Sequence, residues 1–205
     1  MNRQYQIKDK SNQYEITIPR SSIAKNLKIS TSKNELQKIW QLRTAEYNKH
    51  YSEFSCNDDD NYDADALVLY SKNQQGRLIS TGRIVFDSPH GLPADSIIKA
   101  EVSKLRKQGL KIAELSKLAI SEGARGILHE YIQTFYKVAV QQNIDSLIFI
   151  CKDSSAVVYR RLVGAKMLVK NIQYSYGTDF AFSLLEWKIK ESKYHKAQNV
   201  LEAVK

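Results

Sequence analysis

Cysteine is scarce: Cys56 and Cys151 are the two in 205 residues, and thiols so far apart make neither a disulfide framework nor a metal-ligand pair. Both are expected to be free thiols, and no resident metal is expected. Long apolar runs are absent too. No stretch approaches the roughly 18 uncharged apolar residues of a membrane span, and the opening MNRQYQIKDK has no apolar segment behind its charges, which argues against a secretory signal. A cytoplasmic protein is the expectation. Three prolines and eight glycines are too few for a collagen-like or low-complexity chain. Dense Lys/Arg blocks and RNP-type signatures are also missing despite a formal charge of +9. The basic residues are dispersed, and residues 31 to 65 are net acidic, so nucleic acid is not the expected partner.

Several chemical signatures are missing. There is no P-loop, dinucleotide-binding glycine fingerprint, HExxH, GxSxG or CxxC, which removes the common NTPase, dehydrogenase, zinc-protease, serine-hydrolase and thiol-redox readings. His50, His90, His129 and His195 are scattered. The acidic run from Asn57 to Asp65, read from Asp59, has Ala64 where a calcium loop needs glycine and Tyr70 where it needs glutamate.

What is present is an ordinary globular balance, 42 % hydrophobic and 26 % charged, in a length that suits one core. Residues 1 to 26 alternate weakly through Tyr14, Ile16 and Ile18 and read as an N-terminal arm or extra strand. Ser32 and Glu35 stand at capping-box spacing, and Leu36, Ile39, Trp40 and Tyr47 recur at helical spacing, which predicts a helix to about Tyr51. Arg43 lies on that stripe, and a buried-side arginine needs an acidic partner or an anionic ligand. Ala66 to Tyr70 and Leu78 to Phe86 read as hairpin strands, and Ser96 to Gln108 is compatible with a helix closed by Gly109. In Lys111 to Ile120 strict alternation would put Ile112, Glu114, Ser116 and Leu118 on one face.

From Arg125 to Gln142 the apolar residues trace one helical face, and Ser146 to Cys151 follows as a short buried strand. A strand–helix–strand crossover implies parallel pairing. Asp153 or Ser154 is placed to cap a helix that Gly164 ends, and two strands, near 167 to 176 and 180 to 187, complete the sheet. The expectation is an α/β domain over residues 27 to 187 with a mixed sheet, followed by a charged helical tail over 188 to 205.

The order of elements resembles the GNAT acyltransferase superfamily, on the segments Lys111-Ile-Ala-Glu-Leu-Ser-Lys-Leu-Ala-Ile120 and Val158-Tyr-Arg-Arg-Leu-Val-Gly-Ala-Lys166. Within it the chain is most similar to N-acyl amino acid synthases and acyl-homoserine lactone synthases. Their arginine helix, acidic loop, glycine–arginine strand and glutamate strand are matched by Arg43-x-x-x-Tyr47, Asp60-Asn-Tyr-Asp63, Gly82-Arg83 and Glu114-Leu-Ser-Lys117. Lys117 stands where the family has arginine, which keeps the charge and loses the planar fork. The superfamily's pyrophosphate loop is only approximated by Glu122-Gly-Ala-Arg-Gly126, which fits a donor carried on acyl carrier protein better than one carried on CoA.

The resemblance implies a mostly antiparallel central sheet with flanking helices and a splayed parallel strand pair. It also implies an enzyme that moves an acyl group, expected to be long-chain, from acyl-ACP phosphopantetheine or acyl-CoA to the amine of an amino-acid-like acceptor, with no tightly bound cofactor. Glu114, on a largely apolar face, is expected to have a raised pKa and to act as the base. Tyr159 is the expected proton donor to the departing sulfur. Arg43, Tyr47, Asp60, Asp63, Arg83, Ser116 and Lys117 are expected to form the acceptor pocket, either as an ion-pair network or by binding an acceptor carboxylate. Leu118, Ala119, Ile120, Arg125 and Gly126 are expected to hold the donor. The alternatives are an acyl-homoserine lactone synthase using S-adenosylmethionine, a CoA-dependent acetyltransferase, and a catalytically silent binding domain. His90-Gly-Leu-Pro93 and Lys117 look less like the lactone-synthase branch.

Overall fold

The computed structural model describes residues 4–8, 15–51, 61–173 and 180–192. The chain begins with a hairpin, β1 (Gln4–Lys8) and β2 (Glu15–Pro19), paired antiparallel. Its Ile16 and Ile18 are buried in the main core, and Gln142 Nε2 donates to Thr17 O at 2.9 Å. After β3 (Lys28–Ile29) comes α1 (Lys33–Tyr47), capped by Ser32, whose Oγ accepts from Glu35 N–H at 3.2 Å. Glu35 in turn accepts from Thr31 N–H at 2.9 Å. The helix is shorter than the spacing predicts, ending at Tyr47 rather than Tyr51.

The elements that follow are a 3-10 turn at Asn61–Asp65, β4 (Ala66–Lys72), β5 (Leu78–Phe86), α2 (Asp95–Lys107), β6 (Ile112–Ile120), a second 3-10 turn at Arg125–Ile127, α3 (Leu128–Gln141), β7 (Ser146–Lys152), α4 (Asp153–Val163), β8 (Lys166–Ile172) and β9 (Phe182–Lys188). Seven strands form one sheet in the order β3-β4-β5-β6-β7-β9-β8. Every pairing in it is antiparallel except β6 with β7. Alternate strand residues feed two cores. On one side Leu67, Ile84, Ala113, Leu147 and Leu185 pack with α3 and α4; on the other Val68, Val85, Ile112, Ile148 and Leu184 pack with α1 and α2. α4 has no side-chain N-cap, since Asp153 is its first residue and accepts instead from Ser183 Oγ, and Gly164 closes it in the left-handed region at φ 76°. Most of the expected C-terminal helical tail, residues 193 to 205, lies outside the described residues.

Two features of this sheet build the site. First, the parallel pairing of β6 with β7 runs only from Ile112↔Ser146 to Glu114↔Ile148, after which the strands diverge. The backbone of Leu115–Ile120 therefore has no ladder partner on its β7 side. Second, β6 carries a bulge: Thr81 pairs with Ala119 and Arg83 with Ser116, so Lys117 and Leu118 together oppose Gly82. Lys117 takes a φ of 54°, which breaks the strict alternation expected from the sequence. Leu118 accordingly packs with Ala113 and Leu115 on the α3 side instead of with Ile112.

Gly82 is where this bulge meets α3. A β-carbon there would lie 3.1 Å from Leu118 Cδ1 and 3.1 Å from the Tyr131 ring. Gly82→Ala is expected to destabilise the protein by about 1–3 kcal/mol, read as a lower urea midpoint at unchanged m-value.

Candidate functional site: a buried ion hub beside a splayed cleft

Asp63, in the middle of the 3-10 turn, is the centre of a buried network. Its carboxylate binds Arg43 of α1, accepts from Arg83 Nη1 of β5 at 2.8 Å and accepts from Trp40 Nε1 at 2.7 Å. Arg83 Nε also donates to Ser116 Oγ at 2.8 Å, and the guanidinium lies 5.8 Å from the Tyr62 ring centroid. Burial pushes the Asp63 carboxyl up, but the two guanidinium charges and the donated hydrogen bonds outweigh it and hold the group below the usual carboxylate range. Arg43 is 0 % exposed, so a dissolved ligand cannot reach its guanidinium without displacing packed side chains. The helix, the turn and two central strands are thus tied at one point.

Glu114 sits at the vertex of the splay, the last residue of β6 that pairs with β7. It is buried, and its Oε2 accepts from the backbone N–H of Ala94 at 2.7 Å. Ala94 belongs to the loop between β5 and α2, and that loop is itself braced. Arg106 of α2 binds Asp87 and Asp95 with contacts of 2.6–2.8 Å, and Asp95 accepts from Leu92 N–H at 2.7 Å.

Beyond the vertex the diverging strands enclose a cavity of about 330 Å³. Ser116, Lys117 and Leu118 wall it on the β6 side and Phe149 to Lys152 on the β7 side; Ile132 and Phe135 of α3 and Tyr159 of α4 form its floor. Tyr47 reaches in from α1, and its hydroxyl donates to Leu118 O at 3.2 Å, which pins the bulge. Tyr159 packs edge-on against Phe149 at 5.0 Å between centroids, and burial, with the neighbouring Cys151, pushes its phenol up to about 12. The Cys151 thiol is likewise pushed up to about 12 by burial and by Asp153, which leaves it protonated and unreactive at neutral pH. Glu114 does not line this cavity; Ser116, two residues further along β6, does.

At the C-terminal end of β6, Ser121 Oγ donates to Glu46 Oε1 of α1 at 2.8 Å, anchoring the loop ahead of α3. Arg125 and Gly126 fall in the 3-10 turn Arg125–Ile127 that leads into α3, whose N-terminus has no side-chain cap. Ala119 and Ile120 pair with Thr81 and Ser80 of β5. Asp60 and Cys56 lie outside the described residues. Among the described residues no cluster of His, Cys, Asp or Glu is arranged to hold a metal ion, and no helix is long and apolar enough to cross a membrane.

Of the expected site residues, the structure gathers Arg43, Asp63, Arg83 and Ser116 in one hydrogen-bonded network, and Tyr47, Lys117, Leu118 and Tyr159 around one cavity. Sequence reasoning missed Ala94 as the partner of Glu114 and Tyr51, Lys152 and Phe182 as cavity walls. An amide donor leaves no residue-type signal. Lys152 did carry one, a charge closing an otherwise apolar strand.

A mostly antiparallel sheet whose one parallel pair splays around an apolar cavity is the GNAT acyltransferase fold. The family model for the N-acyl amino acid synthase FeeM matches residues 38–186, and the chain belongs to that family; it is an acyltransferase. The solved structure of FeeM, an N-acyl amino acid synthase from uncultured soil microbes, is 19 % identical, covers 80 % of this chain and 91 % of its own, and superposes with a TM-score of 0.70. The AHL synthase LasI is 18 % identical over 80 % of this chain and 89 % of its own, at 0.59. ElaA of Escherichia coli is 12 % identical over 78 % and 97 %, at 0.56. Among curated proteins none matches the sequence significantly.

Proposed function

We propose that this acyltransferase moves a long-chain fatty acyl group from the phosphopantetheine thioester of acyl carrier protein to the amino group of an amino acid. The observation that carries the reading is the cavity: Leu115, Leu118, Leu128, Ile132, Phe135 and Phe149 give it apolar walls. Each methylene buried there contributes about 0.8 kcal/mol, a gain that a two-carbon acetyl group could not collect. The carrier-protein donor is supported by the residues ahead of α3. Glu122–Gly126 has one basic side chain, and an uncapped helix N-terminus suffices for a single phosphodiester.

In this reading the pantetheine lies along the unladdered edge of β6. Backbone N–H groups near Leu118 hold the thioester oxygen as it becomes an oxyanion. The amine attacks the carbonyl carbon, Glu114 takes its proton through one water, and the C–S bond breaks to release a thiolate that takes a proton from solvent water. The Asp63 hub fixes Arg83 and hence Ser116 at the acceptor side.

Tyr159 is assigned a smaller part than a general acid. Burial pushes its phenol up to about 12, which makes it a weaker acid than an exposed tyrosine. A hydrogen bond to the departing sulfur is the remaining role. Tyr159→Phe is therefore expected to lower kcat by about tenfold or less, and a loss of a hundredfold or more would restore the acid assignment.

The test of the whole reading is thiol release from long-chain acyl carrier protein and from short- and long-chain acyl-CoA, each with a panel of amino acids and S-adenosylmethionine. The product is identified by mass spectrometry. An acyl amino acid formed from carrier protein is the expected product. A lactone from S-adenosylmethionine, or turnover of acetyl-CoA alone, would replace the proposal, and binding without thiol release from any donor would make the protein a silent domain.

A further inference from the structure

Arg43 and Arg83 are bound to Asp63, so an acceptor's carboxylate has to be met by another cation. Lys152, the last residue of β7, lines the cavity. Its Nζ lies 4.0 Å from the Phe180 ring centroid and 4.7 Å from that of Tyr51. Tyr51 in turn packs against Phe182 at 6.2 Å and Tyr47 at 6.0 Å, so aromatic rings wall the ammonium. Among the described residues no carboxylate lies within ion-pair distance of it. Rings of this kind attract a cation, but they accept no strong hydrogen bond and are not a counter-ion. Partial burial holds the Lys152 ammonium below its ordinary pKa, as expected of a charge taken from water before its partner arrives.

We propose that Lys152 binds the carboxylate of the acceptor, with Tyr51 and Phe180 flanking it, and that it is the residue selecting an α-amino acid over a simple amine. The inference rests on the amino-acid acceptor proposed above. Position supports it. Tyr51 and Phe182 belong to the core on the α1 and α2 side of the sheet, opposite α3, whose N-terminus is where the donor's phosphate is placed. The amine of an α-amino acid lies two bonds from its carboxylate carbon. A carboxylate on Lys152 therefore keeps the amine inside the cleft that Ser116–Leu118 wall from the other side.

The test compares an amino acid with its carboxamide as acceptors for wild type, Lys152→Met and Lys152→Arg. Lys152→Met is expected to raise KM for the amino acid by about 10- to 100-fold, the size of a charge-assisted hydrogen bond. The carboxamide KM and the donor KM should move by less than about twofold. Lys152→Arg, which keeps the charge, should recover most of the affinity. Equal shifts for amino acid and carboxamide would make Lys152 a packing residue, and a shift in the donor KM would make its anion the donor's phosphate; either overturns the proposal. A wild-type enzyme that acylates carboxamides as readily as amino acids overturns it too, leaving transferase activity intact. No transfer to any amine would remove the reading on which it rests.

Discussion

Asp63→Ala is expected to destabilise the protein by about 3–5 kcal/mol, because it leaves two buried guanidinium groups without their counter-charge. Arg43 Nε and Nη2 already lack hydrogen-bond partners, and Arg83 would lose the contact its Nη1 makes at 2.8 Å. Chemical unfolding measures the loss, and a drop under 1 kcal/mol would mean that the hub is not what ties α1 to β5. The pH dependence has a definite sign. Asp63 titrates below its unfolded value of about 4, so its contribution is complete above that value and is lost as pH falls through the lower, folded one. Wild type should lose stability over that acid range more steeply than Asp63→Asn, which has no carboxyl there to protonate.

The legible parts of this fold were those with a local signal. Ser32 and Glu35 announce the start of α1 by spacing, Gly164 announces the end of α4, and the apolar period through Tyr131, Phe135 and Val138 announces α3. The parallel pair followed from a strand, a helix and a strand in succession. The members of the hub were legible singly, as a charge on an apolar helical stripe and a charge inside a strand, and as a set through the order of the motifs. What stayed hidden was non-local or carried by the backbone. A lysine at φ 54° has no signature, since the bulge at Lys117 depends on Gly82 opposite it and on Tyr47 holding Leu118 O. Arg106 bracing Asp87 and Asp95 spans the loop between two elements, and Lys152 meets Tyr51 and Phe180 from segments far apart in sequence. Strict alternation misplaced Leu118 for the same reason: a strand read alone does not reveal where its partner lacks a residue.

Glu114→Gln is expected to lower kcat by about 10²- to 10⁴-fold, the range for loss of a positioned base, while leaving the fold in place. The substitution keeps the acceptor that matters structurally. A glutamine carbonyl can take the Ala94 N–H that Glu114 Oε2 now takes at 2.7 Å, so the change in unfolding free energy should stay within about 1 kcal/mol. Ala94 lies in a loop held by the contacts of Arg106 and Asp95, which keeps the loop from following the side chain. The carboxylate is what is lost, and a neutral amide cannot accept the amine's proton. Glu114 stands at the vertex of the splay with Ser116 in the cavity wall two residues on, one pleat from the cavity, and this spacing favours a water between base and amine over direct contact. Two readouts separate a base from a positioning residue. Substrate binding, measured as the donor KM, should be unchanged. The kcat deficit should also be larger for an acceptor that arrives as an ammonium, whose extra proton has to leave by way of Glu114 before the amine can attack and lose the second. A uniform loss across acceptors of different basicity, with a raised donor KM, would instead place Glu114 among the residues that shape the cleft, and the base would have to be sought among the groups that line it.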